Sequence, residues 1–257
     1  MSKLIKILVA THKKYELPNS SCYVPIQVGK KLTGLELGIL SDDTEINISE
    51  KNQSYCELTA LYWSWKNNFF QDVDYVGLVH YRRYFSGKDL RVKGRAIASA
   101  EELIGLLKEA DCLVPYKRNY YIETVYSHYQ HAHYIKDLDA VRKIIVNKYG
   151  DYLKAFDIVM QQKTLYLYNM FVMKRSLFEK YSDWLFTILF ELEEEIDVSN
   201  YNPYQKRVFG FLAERLFNVW LLKNNPITKE VKVISLERQN IILKILNFIK
   251  RKFVGWK

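Results

Sequence analysis

The sequence predicts an α/β fold that forms one large domain. In the first half of the chain, short apolar runs alternate with helix-like patterns, which is typical of a sheet flanked by helices. The 257 residues are enough for a sizeable core but few for two full domains. Hydrophobic residues make up 49% of the chain, and it holds ten glycines and five prolines. This composition excludes a disordered or linker-rich protein.

Four apolar runs predict strands, at residues 4–10, 23–28, 75–80 and 112–115. Two helices between these runs are predicted to begin at S-x-x-E capping boxes, in which each side chain bonds the backbone N–H of the other residue. The first box pairs Ser54 with Glu57, and the second pairs Ser99 with Glu102. The first half therefore supplies most of the sheet.

The second half is predicted to be mostly helical. Its helical patterns cover residues 138–149, 151–160, 175–195 and 203–223. The segment 164–173 interrupts them, because it is aromatic and has high β-propensity. We expect it to be one further strand inserted in the sheet.

Positive charge is concentrated at the carboxyl-terminal end of the chain. The net charge is +9, and residues 236–257 hold six basic residues against one acid. If this segment is helical, its apolar residues share one face opposite the basic ones, as in a helix that lies in a membrane interface. The predicted organisation is a domain of residues 1–235 followed by a basic amphipathic helix of residues 236–257 that binds an anionic membrane surface. The alternative is a final helix packed on the domain.

Several classes of protein are disfavoured. No apolar run approaches the ~18 residues of a membrane span. Three cysteines at positions 22, 56 and 112 are too few and odd in number for a disulfide framework, which favours a reducing compartment. Without residues 236–257 the net charge falls to +4, so no nucleic-acid partner is expected.

The most unusual motif follows the predicted strand 75–80, where His80, Arg82 and Arg83 stand among aromatic residues. Ligands of open α/β sheets bind at the carboxyl ends of the strands, so this cluster should face a cleft. The planar guanidinium group suits phosphate oxygens, and two of them could neutralise a diphosphate without a metal. The alternative is that both arginines form ion pairs or lie in solvent.

A second polar cluster follows the predicted strand 112–115. It contains Tyr121, His128, His131 and His133. Aromatic faces interspersed with hydrogen-bond donors suit sugars and nucleobases. Histidine is also the commonest zinc ligand, but this spacing matches no standard metal motif.

Two further features could contribute to a site. Glu214 lies one helical turn from Gly210, and it is a candidate general base or else the partner of Arg207 or Arg215 in a salt bridge. Acidic turns such as residues 41–49 are ordinarily solvated or bind metals, but Asp42 and Asp43 are not in the D-x-D arrangement that holds a divalent ion. No D-x-D sequence follows an apolar strand.

These motifs form an ordered set that resembles a bacterial glycosyltransferase family found in capsule, exopolysaccharide and lipopolysaccharide gene clusters and long known only as a domain of unknown function. The resemblance covers roughly residues 3–225. The matching segments are ATHK at 10–13, NISEKN at 47–52, YCELTA at 55–60, GLVHYRRYF at 77–85, YNMFVM at 168–173 and FGFLAERL at 209–216.

The resemblance implies a single Rossmann-like, GT-A-like domain that uses a nucleotide-diphospho-sugar and has a helical carboxyl-terminal portion. The donor would be a uridine diphosphate-linked sugar such as galactose, in particular galactofuranose, and the acceptor a lipid-linked oligosaccharide at the cytoplasmic face of the membrane. In this fold a metal-binding D-x-D ordinarily stands where this chain has residues 80–83. No metal cofactor is therefore expected, with Mn²⁺ or Mg²⁺ dependence as the alternative.

The residues and the resemblance together assign three groups of site residues. The catalytic residues are Glu214 and His80. The donor-binding residues are Thr11, His12, Lys13, Asn47, Arg82 and Arg83. The acceptor-binding residues are Tyr121, His128, His131, His133 and Asn169. Other functions that the residues leave open are a nucleotide-sugar or anionic-polymer binding protein without catalysis, and a phosphotransferase with His80 or His128 as nucleophile.

Overall fold

Runs of apolar and β-branched residues form the strands of a mixed sheet. The computed structural model describes residues 4–237, and within these residues nine strands join one sheet while two further pairs lie outside it. The strands are Ile5–Thr11 (β1), Tyr23–Gln27 (β2), Leu40–Ser41 (β3), Tyr75–His80 (β4), Arg83–Phe85 (β5), Leu90–Val92 (β6), Arg95–Ile97 (β7), Cys112–Pro115 (β8), Arg118–Asn119 (β9), Thr164–Leu165 (β10), Phe171–Lys174 (β11), Thr228–Val231 (β12) and Val233–Ser235 (β13).

The order of the strands brings several carboxyl ends to one edge of the sheet. The main path runs β12-β8-β11-β4-β1-β2-β3, with β5 beside β4 and β13 beside β5. Strands β1, β2, β3 and β4 are parallel, and β11 is antiparallel to both β4 and β8. The carboxyl ends of β1, β4 and β8 therefore face the same edge.

Within residues 4–237, seven helices cover one face of the sheet and one, the third in chain order, packs on the other. They are Asn52–Tyr55 (α1), Leu58–Lys66 (α2), Ala100–Leu106 (α3), Val125–Ala132 (α4), Ile135–Lys148 (α5), Leu153–Gln161 (α6), Arg175–Glu195 (α7) and Val208–Asn224 (α8). Alternate residues of β1 point to opposite faces, so Leu8 joins the large core beneath α2 and α5 to α8, whereas Ile7 joins a smaller core beneath α3 and the β6–β7 hairpin. The structure has the mixed α/β architecture that the sequence predicted.

The predicted strand over 164–173 is wrong in its length. Only Phe171–Lys174 joins the main sheet, while Thr164–Leu165 pairs with β9. Between them, Tyr168 and Asn169 have φ angles of 79° and 51°. An extended strand cannot pass through two left-handed residues, so the chain turns here.

The two S-x-x-E sequences behave differently. Ser99 and Glu102 form the predicted capping box at the start of α3. The box predicted at Ser54 is wrong, because the Ser54 hydroxyl donates to the Lys51 carbonyl and the helix breaks at Cys56. The Glu57 carboxylate instead accepts a hydrogen bond from Asn169, 112 residues further along the chain.

The acidic turn at residues 41–49 is neither solvated at Asp42 nor arranged as a metal site. Asp42 is fully buried. Its carboxylate accepts hydrogen bonds from four donors, the Gly29 and Lys30 backbone N–H groups and the Ser49 and Thr59 hydroxyls, at 2.6–3.1 Å. Asp42 therefore ties the turn after β2 to α2.

The structure also bears on membrane spans, on the cysteines and on the basic C-terminal segment. Among residues 4–237, no helix has both the length and the apolar character needed to cross a bilayer. The three cysteines are free thiols. The predicted helix 236–257 lies outside the described residues except for Leu236 and Glu237, and the domain boundary at residue 235 stays a prediction.

Candidate functional site

A cleft of about 520 Å³ opens at the carboxyl ends of β1 and β4. The parallel pairing of these strands places Ala10 beside His80, so the residues after each strand meet. The lining includes three cations, Arg82, Lys206 and Arg207, the imidazoles of His12 and His80, and one carboxylate, Glu57. The cleft therefore suits an anionic ligand.

Arg82 and Lys13 converge on one carboxylate. Arg82 Nη1 donates to Glu237 Oε2 at 3.0 Å, and Lys13 Nζ lies 3.6 Å from Glu237 Oε1. Both cations also lie over the ring of Tyr81, at 5.7 and 5.1 Å from its centroid. Two cations on the two oxygens of one anion form an arrangement that a phosphate group could also satisfy.

His12 contacts the same aromatic ring edge-on, with the ring centroids of His12 and Tyr81 5.3 Å apart. Burial lowers the pKa of His12, and the charges of Lys13, Arg82 and Arg207 lower it further, while Glu237 acts in the opposite direction. The imidazole is therefore neutral near pH 7 in the absence of a ligand.

The adjacent residues Arg82 and Arg83 have different partners. Arg83 lies over the Tyr168 ring, with its guanidinium carbon 4.5 Å from the centroid. Burial and the charge of Arg82 lower the pKa of Arg83, and Tyr168, Glu57 and Glu214 oppose that shift. Arg82 lines the cleft, whereas Arg83 lies near the carboxylates of Glu57 and Glu214. Binding of one diphosphate by both arginines therefore stays a prediction.

The turn at residues 166–169 is bonded to both predicted catalytic residues. His80 Nε2 lies 2.7 Å from the Tyr168 carbonyl oxygen. Since a carbonyl only accepts, Nε2 carries the proton in this contact. Burial lowers the pKa of His80, with opposition from Glu57 and the Tyr168 carbonyl. These interactions describe a neutral imidazole that holds the turn.

Glu214 holds the same turn from helix α8. Its Oε1 accepts from the Tyr168 backbone N–H at 2.7 Å, and its Oε2 accepts from Arg215 Nη1 at 3.0 Å. Burial raises the pKa of Glu214, although Arg215 and the Tyr168 N–H act against that shift. Both oxygens are engaged, and Glu214 is not among the residues that line the cleft.

Four of the five predicted acceptor-binding residues lie on and around α4 and face different neighbours, whereas Asn169 lies in the 166–169 turn and donates to Glu57. His128 stacks on Tyr120 with centroids 4.1 Å apart, and His131 Nδ1 lies 2.6 Å from Glu123 Oε1. His133 is buried, and its Nδ1 lies 3.0 Å from Gln205 Oε1. Tyr121 is 77% exposed. In the part of the chain that the structure describes, no group of three or more His, Cys, Asp or Glu side chains could hold a metal ion.

Two predicted donor-binding residues shape turns next to the cleft. The Thr11 hydroxyl donates to the Lys13 carbonyl at 2.7 Å, which fixes the turn that carries His12. Asn47 donates to the Asp43 and Glu45 carbonyls and accepts from the Ser49 N–H, so its amide is used within its own loop. A direct contact of either residue with a donor stays a prediction.

Sequence reasoning missed Glu57 and Arg207 as cleft residues. Glu57 was interpreted as part of a capping box, and Arg207 as a partner of Glu214. Arg207 Nε instead donates to Cys56 Sγ at 3.2 Å. Burial raises the pKa of the Cys56 thiol to about 11, so this sulfur is protonated near neutral pH. Glu57 lies in the YCELTA segment, which is one of the segments that carry the family resemblance, and this could have marked it as a site residue.

Comparisons with known proteins identify the family and the fold of the chain. The family model described as a domain of unknown function, DUF4422, matches residues 6–225. The chain belongs to the DUF4422 family. Among curated protein sequences, no relative matches.

A solved structure shares the fold of this DUF4422 domain. It is described as the apo structure of WbbM, a bifunctional glycosyltransferase, and it superposes with a TM-score of 0.80 at 35% sequence identity. The match covers 91% of this chain and 45% of that one, so the chain spans less than half the length of WbbM. The GT-A-like fold predicted from the motifs is confirmed.

Proposed function

We propose that this protein is a glycosyltransferase that takes its sugar from a nucleotide-diphospho-sugar. The supporting observation is the basic cleft at the carboxyl ends of β1 and β4, in a fold shared with a bifunctional glycosyltransferase. The donor is proposed to be a uridine diphosphate-linked galactose, in particular galactofuranose. The acceptor is a lipid-linked oligosaccharide of cell-surface polysaccharide synthesis.

Arg82 in the cleft and the neighbouring Lys13 would stabilise the leaving group. Negative charge grows on the diphosphate as the bond to the sugar breaks, and fixed donors aimed at that charge lower the barrier. Arg82 and Lys13 already hold a carboxylate, Glu237, with one cation on each oxygen. A donor diphosphate would displace Glu237 and bind the same two side chains.

A divalent cation does not fit the cleft as its residues stand. Mg²⁺ and Mn²⁺ prefer oxygen ligands, above all carboxylates, and Glu57 is the one carboxylate among the residues that line the cleft in the described chain. We therefore propose a reaction in which the protein's own cations balance the diphosphate charge.

The deciding experiment is a thermal-shift screen with uridine, guanosine, cytidine and thymidine diphospho-sugars, with and without Mn²⁺. A ligand that binds the folded state raises its apparent stability. Bound donors are then incubated with acceptor, and the release of nucleoside diphosphate is measured. Binding without release would instead describe a non-catalytic sugar-nucleotide binding protein, and phosphohistidine formation a phosphotransferase. A strict Mn²⁺ requirement would contradict the metal-free reaction.

Donor binding is expected to be coupled to protonation of His12. The bound diphosphate carries more negative charge than the Glu237 carboxylate that it displaces. It therefore offsets the charges of Lys13, Arg82 and Arg207 more fully, so the pKa of His12 rises on binding. A group whose pKa is higher in the complex takes up protons between its two pKa values, and affinity therefore increases as the pH falls through that window. Calorimetry at pH 6.5 in buffers of different ionisation enthalpy measures this uptake, which should shrink in H12Q. Equal uptake by H12Q and the unchanged protein would contradict the coupling.

We also propose that the protein is cytoplasmic and binds the inner face of the cell membrane through residues 238–257. This segment contains six basic residues and no acid. Each basic residue near an anionic surface contributes about 1 kcal/mol. Removal of residues 238–257 should abolish co-sedimentation with phosphatidylserine vesicles but leave Glu237 beside Arg82. Undiminished co-sedimentation would contradict the proposal.

A further inference from the structure

Three residues with positive φ angles lie at or next to the two partners of one hydrogen bond, Glu57 and Asn169. Cys56 has φ 54° and ψ −133°, and Tyr168 and Asn169 have φ values of 79° and 51°. A positive φ is rare for Cys and Tyr and costs roughly 1–3 kcal/mol, whereas Asn adopts it more readily. Glu57 follows the first of these residues, and its Oε1 accepts from Asn169 Nδ2 at 2.7 Å. Two strained turns therefore hold the two partners of a single hydrogen bond.

Several elements support the turn at Cys56. Asn52 Nδ2 donates to the Cys56 carbonyl at 2.6 Å and to the Thr59 hydroxyl at 3.0 Å. The Thr59 hydroxyl in turn donates to buried Asp42. On the other side, a Cβ atom at Gly210 would lie 3.3 Å from Cys56 Sγ, so the missing side chain allows α8 to approach the turn.

Asn169 is held in place by burial and by a second hydrogen bond. Its side chain is 4% exposed, and Nδ2 also donates to the Gly210 carbonyl at 3.2 Å. The same amide nitrogen thus joins α8 to the carboxylate. The neighbouring residue Tyr168 is held by Glu214 and His80. This network sets the position of Glu57 Oε1 from both sides of the cleft.

Glu57 and Glu214 differ in whether their carboxylates face the cleft. Glu57 lines the cleft together with His80 and Arg82. Glu214 lies behind the 166–169 turn, with its two oxygens bonded to Tyr168 and Arg215. A general base must reach the hydroxyl that it deprotonates, and only the first of these carboxylates faces the space that a substrate would occupy.

We propose that Glu57 is the base that deprotonates the acceptor hydroxyl and that Asn169 is its positioning residue; this assignment rests on the proposed function. In the transfer step the acceptor oxygen forms a bond to the anomeric carbon while the bond from that carbon to the diphosphate oxygen breaks. The bonding pair leaves with the nucleoside diphosphate, and the hydroxyl proton moves to Glu57. The reaction needs no other reactant.

The main test is E57Q, which keeps the side-chain length and an oxygen that can accept from Asn169. We expect kcat to fall by about 10²- to 10⁴-fold, the usual contribution of a general base. The dissociation constant of the diphospho-sugar, measured by calorimetry, should change by less than about threefold. The matched control is E194Q on the exposed face of α7, which should retain full turnover.

Two further variants separate a chemical role from a structural one. E57A should be inactive and recover part of its turnover in sodium formate, because a diffusing carboxylate can accept the proton. N169G accommodates the positive φ without strain but lacks the amide, so its kcat should fall with little change in donor affinity. These readouts do not depend on E57Q being stable.

The experiments distinguish a wrong assignment of Glu57 from a wrong proposed function. Turnover by E57Q within threefold of E194Q would overturn the assignment, as would loss of turnover in E214Q with retention in E57Q. Failure of formate to restore any activity to folded E57A would also count against it. If the unchanged protein neither binds nor turns over any diphospho-sugar, the proposed function fails first and the assignment falls with it.

Discussion

The variant R82A is expected to bind a uridine diphosphate-sugar roughly 10- to 100-fold more weakly than the unchanged protein. Arg82 lines the cleft, and its guanidinium group already bonds a carboxylate at 3.0 Å. Hydrogen bonds to charged groups contribute about 1.5–3 kcal/mol, and each 1.4 kcal/mol changes affinity about tenfold. Calorimetric titration with the sugar nucleotide measures the effect.

R91A is the matched control for R82A. The side chain of Arg91 is exposed on β6, where its guanidinium group donates to the Gly94 carbonyl. Its removal lowers the net charge by the same amount without touching the cleft, so donor affinity should stay unchanged. Equal loss of affinity in R82A and R91A would show that total charge, and not the position of Arg82, governs binding.

The variant D42N is expected to lower the free energy of unfolding by about 3–5 kcal/mol. Asp42 is fully buried and accepts from four donors. An amide in its place turns one acceptor into a donor, which leaves buried N–H and O–H groups facing another donor. Unsatisfied buried groups cost about 1–3 kcal/mol each, and effects of this size arise from broken buried networks.

Urea unfolding monitored by tryptophan fluorescence measures the change in D42N. D72N serves as the control, because Asp72 is an exposed acid in the loop before β4, and surface substitutions of this kind change stability by at most about 0.5 kcal/mol. A loss below about 1 kcal/mol in D42N would mean that the four hydrogen bonds contribute little to the folded state.

The parts of the fold that depend on local pattern could be predicted. Strands β1, β4 and β8 are buried runs of apolar residues bounded by polar ones, and the sequence placed each within one or two residues. Helix α7 was predicted with its observed bounds, because its apolar periodicity is continuous over 21 residues. Short strands such as β5 and β13 were missed, since three residues carry too little pattern to distinguish a strand from a loop.

The site was predictable only where it follows strand ends. His12, His80 and Arg82 come directly after β1 or near the end of β4, so topology alone placed them in a cleft. Glu57 could not be found this way. The sequences around Ser54 and Ser99 both satisfy the capping pattern, and a contact with Asn169 across 112 residues decides against the first. Such a contact leaves no trace in local spacing.

The C-terminal pair of strands sets a practical lower limit on any shortened form of this protein. The DUF4422 match ends at residue 225, yet β12 pairs with β8 and β13 pairs with β5 beyond that point. A recombinant version cut at the family boundary would leave the β8 and β5 edges bare, and open strand edges recruit other chains into aggregates. It would also strip the backbone bond from Leu236 to the Arg82 carbonyl. Expression trials should therefore extend at least to Glu237.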